Sequence, residues 1–174
     1  MHELIRKEVI FMGKKLMGLL FILFLAGCSS EGDPLGVMSD ERGQRLAVAI
    51  EAMVGNDVES SQNLEFIAID YVHFNELSRE DTAYVYRYLG EKYKTDIRFA
   101  TMDELKEDGT VNFETGEMNG VMLVIQNESS DEKKSVYEGF VQQNSLRLAA
   151  GLRVAVHLNE NKWKARDVEV LWVG

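Results

Sequence analysis

The stretch Leu64-Glu65-Phe66-Ile67-Ala68-Ile69-Asp70-Tyr71-Val72-His73-Phe74 decides how this chain folds. β-branched and aromatic residues dominate it, which favours a strand. Both of its alternating faces are mostly apolar, so the spacing predicts an inner strand over 64–74, covered on two sides. Asp70 shares the Phe66-Ala68-Asp70-Val72-Phe74 face. A carboxylate on a buried face is destabilising unless paired, or else it holds its proton to higher pH. Such acids are enriched at functional sites. The structural alternatives are a place at the sheet rim or a pairing with an arginine.

Helices are expected on either side of this strand. Ser39-Asp40-Glu41 opens one that runs to about Val54, with Leu46, Ala49, Ile50, Met53 and Val54 on one stripe, and Gly55-Asn56-Asp57 is expected to stop it. Ser78-Arg79-Glu80-Asp81 reads as an N-cap with an acid at the third helical position, close to a capping box. The helix it starts reaches about Tyr93, with Tyr84, Val85, Tyr88, Leu89 and Tyr93 at helical spacing as core. Asp96 to Ala100 is a short strand, and Thr101-Met102-Asp103-Glu104 begins a short helix that ends at Asp108-Gly109.

The last third reads as β. Strands are expected over Gly120–Gln126, Ser135–Gln143 and Leu146–Leu158, with a bend or bulge at Gly151. Asn159-Glu160-Asn161-Lys162 is a hairpin turn. In the final strand the apolar phase shifts from Trp163 and Ala165 to Val168, Val170 and Trp172, which a bulge near Arg166-Asp167 reconciles. Both tryptophans are expected in the core. The order α-β-α-β-α followed by a meander is an α+β pattern. The expected architecture is N-terminal helices packed on a curved, mainly antiparallel sheet ending in a β-meander, formed by residues 39–174 as a single domain.

The whole chain has 174 residues, 45% hydrophobic and 28% charged, with a formal charge of −10. That charge argues against nucleic acid, which needs clustered Lys and Arg. A single cysteine excludes an intramolecular disulfide framework and any Cys-rich zinc module.

Residues 1–27 do not read as part of a domain. Arg6, Lys7, Lys14 and Lys15 precede the 11-residue apolar run Leu16–Ala26. That run is shorter than the roughly 20 residues a membrane-spanning helix needs and fits the apolar region of a secretory signal. Translation from Met12 would still leave a basic start, so either methionine is open as the initiator. The run ends in Leu25-Ala26-Gly27-Cys28, which resembles the lipobox of bacterial lipoprotein signal peptides. The resemblance implies lipidation of Cys28, cleavage between Gly27 and Cys28, and anchoring by the acyl chains on Cys28, palmitate among them. Residues 28–38 then read as a flexible tether. Cleavage removes four basic and two acidic side chains from the 19 and 29, leaving 15 and 27, a net −12. A surface so charged repels anionic lipid headgroups, so the lipid is the membrane anchor.

The tail, with Leu148-Ala149-Ala150-Gly151, Asn161-Lys162-Trp163 and Leu171-Trp172-Val173, is similar to small bacterial lipoprotein domains. Some of these are NTF2-like or cystatin-like, a curved sheet wrapped on helices. The resemblance implies fold and location and carries no catalytic residues.

Few residues of the chain are of a type and spacing that could carry chemistry. His73 ends the inner strand and His157 sits on the polar face of a late one, with no metal-ligand spacing between them. There is no nucleophile elbow and no phosphate-cradling glycine loop. The acids Asp103, Glu104, Glu107 and Asp108, and Glu128, Asp131 and Glu132, lack calcium-loop spacing and read as solvated charge. No cofactor, metal or catalytic residue is assigned. The expectation is a non-enzymatic, extracytoplasmic lipoprotein of the cell envelope, held to the membrane through Cys28 and binding an envelope protein or a small ligand. The alternative is a small hydrolase or isomerase with Asp70 and His73 in one NTF2-like pocket. At this size the two hinged lobes of a transporter's solute-binding lipoprotein do not fit.

Overall fold

The computed structural model describes residues 41–57, 64–112, 114–143 and 149–174. The signal segment, Cys28 and the tether lie outside the described residues, as do Leu146, Arg147 and Leu148 at the expected start of a late strand.

Helix α1 (Glu41–Asp57) is followed by strand β1 (Phe66–Tyr71), a 3-10 turn (Phe74–Glu76) and helix α2 (Arg79–Tyr93). Then come β2 (Asp96–Phe99), α3 (Met102–Glu107), β3 (Gly120–Ser130), β4 (Lys134–Gln143), β5 (Ala149–Asn159) and β6 (Lys162–Val173). The protein is α+β, a six-stranded mixed sheet in the order β2-β1-β3-β4-β5-β6 with helices packed on it. β1 runs parallel to both β2 and β3. β3 to β6 are joined antiparallel.

β1 is covered on both faces. Ile67, Ile69 and Tyr71 join the main core with Leu46, Ile50 and Met53 of α1, Val85 and Leu89 of α2, and the inward residues of β3–β6. Phe66 and Ala68 pack on the other face against Leu105 of α3, Val111, Met118 and Met122. The strand stops at Tyr71 instead of running to Phe74, because Val72 beyond it is exposed and the chain turns into the 3-10 segment.

The helix signals act as capping physics requires. Ser78 Oγ accepts from the Asp81 amide at 3.0 Å, and Thr101 with Glu104 forms a capping box on α3. Asp81 also reaches across to α1, where its Oδ1 accepts from the Gly43 amide at 2.8 Å. A Cβ on Gly43 would stand 2.7 Å from the Asp81 Cα, so only glycine admits this helix contact. Gly55 does not stop α1, which continues to Asp57. A glycine inside a helix weakens it by about 1 kcal/mol, and here the buried stripe before it outweighs that.

Three register shifts shape the antiparallel half. Arg166 is an extra residue between the pairs Val156–Ala165 and Ala155–Asp167, where the sequence phase changes. Leu171 is extra between Leu152–Val170 and Gly151–Trp172, so the irregularity opposite Gly151 lies on β6. Gln126 is extra between Ile125–Gly139 and Asn127–Glu138. A Cβ on Gly139 would stand 2.0 Å from the Val124 carbonyl oxygen, so glycine is needed opposite this bulge. Glu160 and Asn161 adopt positive φ, 51° and 60°, in the β5–β6 turn, the pattern of a tight hairpin.

The two tryptophans part company. Trp163 is 7% exposed in the main core, with the Arg45 guanidinium 5.2 Å over its ring. Trp172 is 48% exposed, against the expectation of burial. The Leu171 bulge puts it on the sheet face opposite the main core, beside Phe140 at 6.1 Å between rings. Trp163→Ala is expected to destabilise by about 3–4 kcal/mol, and Trp172→Ala by under about 1 kcal/mol. Gly139→Ala should destabilise by at least about 2 kcal/mol through overpacking. Denaturant unfolding of the three variants checks this, and equal losses at the two tryptophans would contradict the placement of β6.

Candidate functional site

The two residues singled out in the sequence are set apart by the fold. Asp70 lies near the carboxyl end of β1, on the Phe66–Ala68 face, half-buried at the rim. Burial raises the pKa of its carboxyl, and the negative charge of Glu104 adds to the shift. His73 lies beyond the strand end and precedes the 3-10 turn. Its Nδ1 is 3.0 Å from Glu76 Oε1, and its ring stands edge-on to Tyr71 at 5.7 Å. Tyr71 belongs to the opposite face of β1 from Asp70. Asp70 and His73 therefore keep different company. His157 is half-buried on β5, and its Nε2 is buried without a hydrogen-bond partner among the described residues.

A more organised polar cluster sits on the main-core side, centred on Glu128. Its side chain is 8% exposed. Arg42 Nη2 donates to Glu128 Oε2 at 2.8 Å, and the Tyr71 hydroxyl donates to the same oxygen. Tyr137 Oη and Ser130 Oγ each donate to Oε1 at 3.2 Å. Arg42 Nη2 also donates to Tyr71 Oη at 3.1 Å and to Glu76 Oε2 at 3.1 Å. The cluster joins α1, β1, β3, β4 and the 3-10 turn, and Glu76 carries it out to His73.

Burial by itself opposes the Glu128 charge. The hydrogen bonds from Tyr71 and Arg42, with the Arg42 charge, outweigh it and hold the carboxyl below its usual range. Burial and the neighbouring carboxylate push the Tyr71 and Tyr137 hydroxyls well above their usual pKa. Both phenols thus remain donors. A carboxylate with four donors on its two oxygens is a saturated acceptor, poorly placed to take a proton from a substrate. Its chemistry is that of a clamp.

Sequence reasoning read Glu128, with Asp131 and Glu132, as solvated charge, and the structure corrects this for Glu128. β3 continues to Ser130, and the extra Gln126 reverses the facing of every residue after it. Glu128 thereby pairs with Tyr137 and turns inward, where an unbroken alternation would have aimed it outward. Gly139 opposite Ile125 was the available signal. The other acids do act locally at the surface. Asp131 accepts from the Lys133 and Lys134 amides at 2.9 and 2.7 Å, and Asp108 from the Thr110 amide at 2.8 Å.

At the carboxyl ends of β1 and β2, Phe74 and Phe99 lie 4.6 Å apart between rings, with Tyr86 edge-on to Phe99 at 5.5 Å. Phe74, Leu77, Arg79, Thr82 and Tyr86 line an open depression there. Among the described residues, no group of three or more His, Cys, Asp or Glu side chains is arranged to hold a metal ion.

No protein-family model matches this chain. No curated protein sequence matches it either. A solved structure, an S-adenosylmethionine-dependent methyltransferase from Clostridium acetobutylicum ATCC 824, aligns at 11% identity over 76% of this chain and 74% of its own. Its TM-score is 0.17, too low for the likeness to carry an argument.

The clamp has a pH signature. The folded pKa of Glu128 lies below its unfolded value of about 4.3. Its contribution is therefore full above that value and is lost as pH falls through the folded pKa. Glu128→Gln is expected to destabilise by about 2–3 kcal/mol at neutral pH, since Arg42 keeps Glu76 as a partner. The gap between variant and wild type should narrow as the pH falls below that unfolded value and through the lowered folded pKa. Urea unfolding at a series of pH values checks this, and a gap independent of pH would contradict it.

Proposed function

We propose that this chain is an exported lipoprotein of the cell envelope. It is lipidated at Cys28, held on the extracytoplasmic face of the cell membrane, and acts there as a non-enzymatic binding or accessory domain. The partner is an envelope protein or a small ligand. The observation that carries this reading is Leu25-Ala26-Gly27-Cys28, placed directly after an 11-residue apolar run and containing the lone cysteine of the chain. Two or three acyl chains on that thiol supply a lasting anchor where one alone is marginal. Among the described residues, no helix is long and apolar enough to cross a membrane.

Two features of the folded part support the non-enzymatic half. Asp70 and His73 keep different company across β1, which weighs against a shared catalytic pocket for a hydrolase or isomerase. The best-organised polar cluster is saturated internally. The curved-sheet arrangement of NTF2-like or cystatin-like lipoprotein domains belongs to the same reading, and α1 lying against β4, β5 and β6 is in keeping with it.

Detergent phase separation of cells making the full chain tests the anchor. Wild-type protein is expected in the detergent phase, with a mature N-terminal peptide that begins at diacylated Cys28. Cys28→Ala is expected to stay uncleaved or to appear in the aqueous phase. Wild-type protein in the aqueous phase would end the lipoprotein reading. Hydrolase activity that disappears in Asp70→Asn at an unchanged melting temperature would replace the binding role by the enzymatic one.

A further inference from the structure

We propose that two copies of this chain pair edge to edge through β6, antiparallel about a twofold axis between Arg166 and Asp167, to form one continuous sheet.

The two edges of the sheet are unlike. β2 has four residues, with Asp96 and Arg98 among them, a short and charged edge of the kind that resists pairing. β6 has twelve residues and no proline, and among the described residues no strand pairs with its outer side. Eight large apolar side chains are exposed among the described residues, and five of them are on β6. These are Val168, Val170, Leu171, Trp172 and Val173, with Val170 at 51% and Val173 at 76% exposure. A long apolar edge of this type is a template for another strand.

The bulge says which strand fits. In a regular strand, residues placed symmetrically about a peptide bond face opposite ways. Arg166 is an extra residue, so β6 reads the same in both directions about the Arg166–Asp167 bond. Ala165 pairs with Val156 and Val168 with Val154, both on the main-core face. Lys164 pairs with His157 and Glu169 with Arg153, both on the other face. Antiparallel self-pairing about that bond sets Ala165 opposite Val168 of the second copy, Trp163 opposite Val170, and Lys164 opposite Glu169. Each opposed pair shares a face, as cross-strand partners must.

Charge selects the same arrangement. Each Lys164 meets a Glu169, twice in the dimer. A shift of one residue puts the opposed pairs on either side of the bulge on different faces. Glu169 already accepts from Arg153 Nη1 at 2.8 Å, so it is held in place on the far face. The chain as a whole carries −10, yet β6 holds Lys162, Lys164 and Arg166 against Asp167 and Glu169. The seam is thus not acidic, and charge elsewhere is screened beyond about 8 Å at physiological salt. Val170, exposed in one copy, comes beside Trp163 of the other, which α1 already roofs through Arg45.

The test uses the full chain, extracted from membranes in mild detergent, with mass measured by light scattering corrected for bound detergent. Wild type is expected to be a dimer. Lys164→Glu and Val170→Lys should each raise the dissociation constant at least tenfold at an unchanged melting temperature. Lys164→Glu combined with Glu169→Lys should restore the dimer. A monomeric wild type would overturn the proposal, including the case in which a strand of another protein occupies β6. So would a dimer that survives both single substitutions, or one that the charge exchange fails to restore.

Discussion

β1 is buried on both faces, and the rest of the sheet is arranged around that constraint. Fully burying an apolar side chain contributes about 1.5–3 kcal/mol, and Phe66, Ile67, Ala68, Ile69 and Tyr71 are all buried. The benefit requires cover on two sides. α1 and α2 supply it on one face, and α3 with the segment through Val111 and Met118 on the other. The chain must therefore leave β1 over one face and return to β3 over the other. That route makes β2, β1 and β3 parallel and puts β1 between its neighbours.

The antiparallel half obeys a different rule. Its main-core face is roofed by α1 as far as Trp163 and Ala165 of β6, leaving Val168 and Val170 exposed, and its other face carries Glu138, Arg153 and Glu169 joined as ion pairs. Where the facing has to change, the strands insert a residue. Gln126 turns Glu128 inward, Arg166 keeps Val168 and Val170 on the side of Trp163, and Leu171 sends Trp172 to the opposite side. Each bulge re-aims side chains without changing the order of strands.

Two polar contacts then fix the first helix. Asp81 reaches the Gly43 amide, and Glu128 collects Arg42 and Tyr71. Both acids are buried or nearly so, and both are satisfied by several donors, the condition under which a buried carboxylate is tolerable. The clamp and the helix contact together tie α1 to the sheet and to α2, so this helix is bound in place beyond its apolar stripe.

The sequence by itself determined the order of helices and strands, the buried stripe of α1, the caps at Ser78 and Thr101, the tight turn at Asn159–Lys162 and the bulge at Arg166. Each is a local matter of periodicity, capping chemistry or backbone angle, written in residues a few positions apart. The same reading picked out Asp70 as an acid at odds with its strand and left open whether it lies at the rim or pairs with an arginine. Tertiary structure decided the rest. Parallel pairing of β1 with β2 and β3 depends on which face each connection crosses, which no local pattern encodes. The bulge at Gln126 depends on Gly139 of the neighbouring strand, so the inward turn of Glu128 and its meeting with Arg42, 86 residues earlier in the chain, could not be read from its acidic neighbours. Trp172 has the composition of a core residue, yet it stands on the unroofed face of the last strand, because burial is a property of what lies opposite a side chain as well as of the side chain itself.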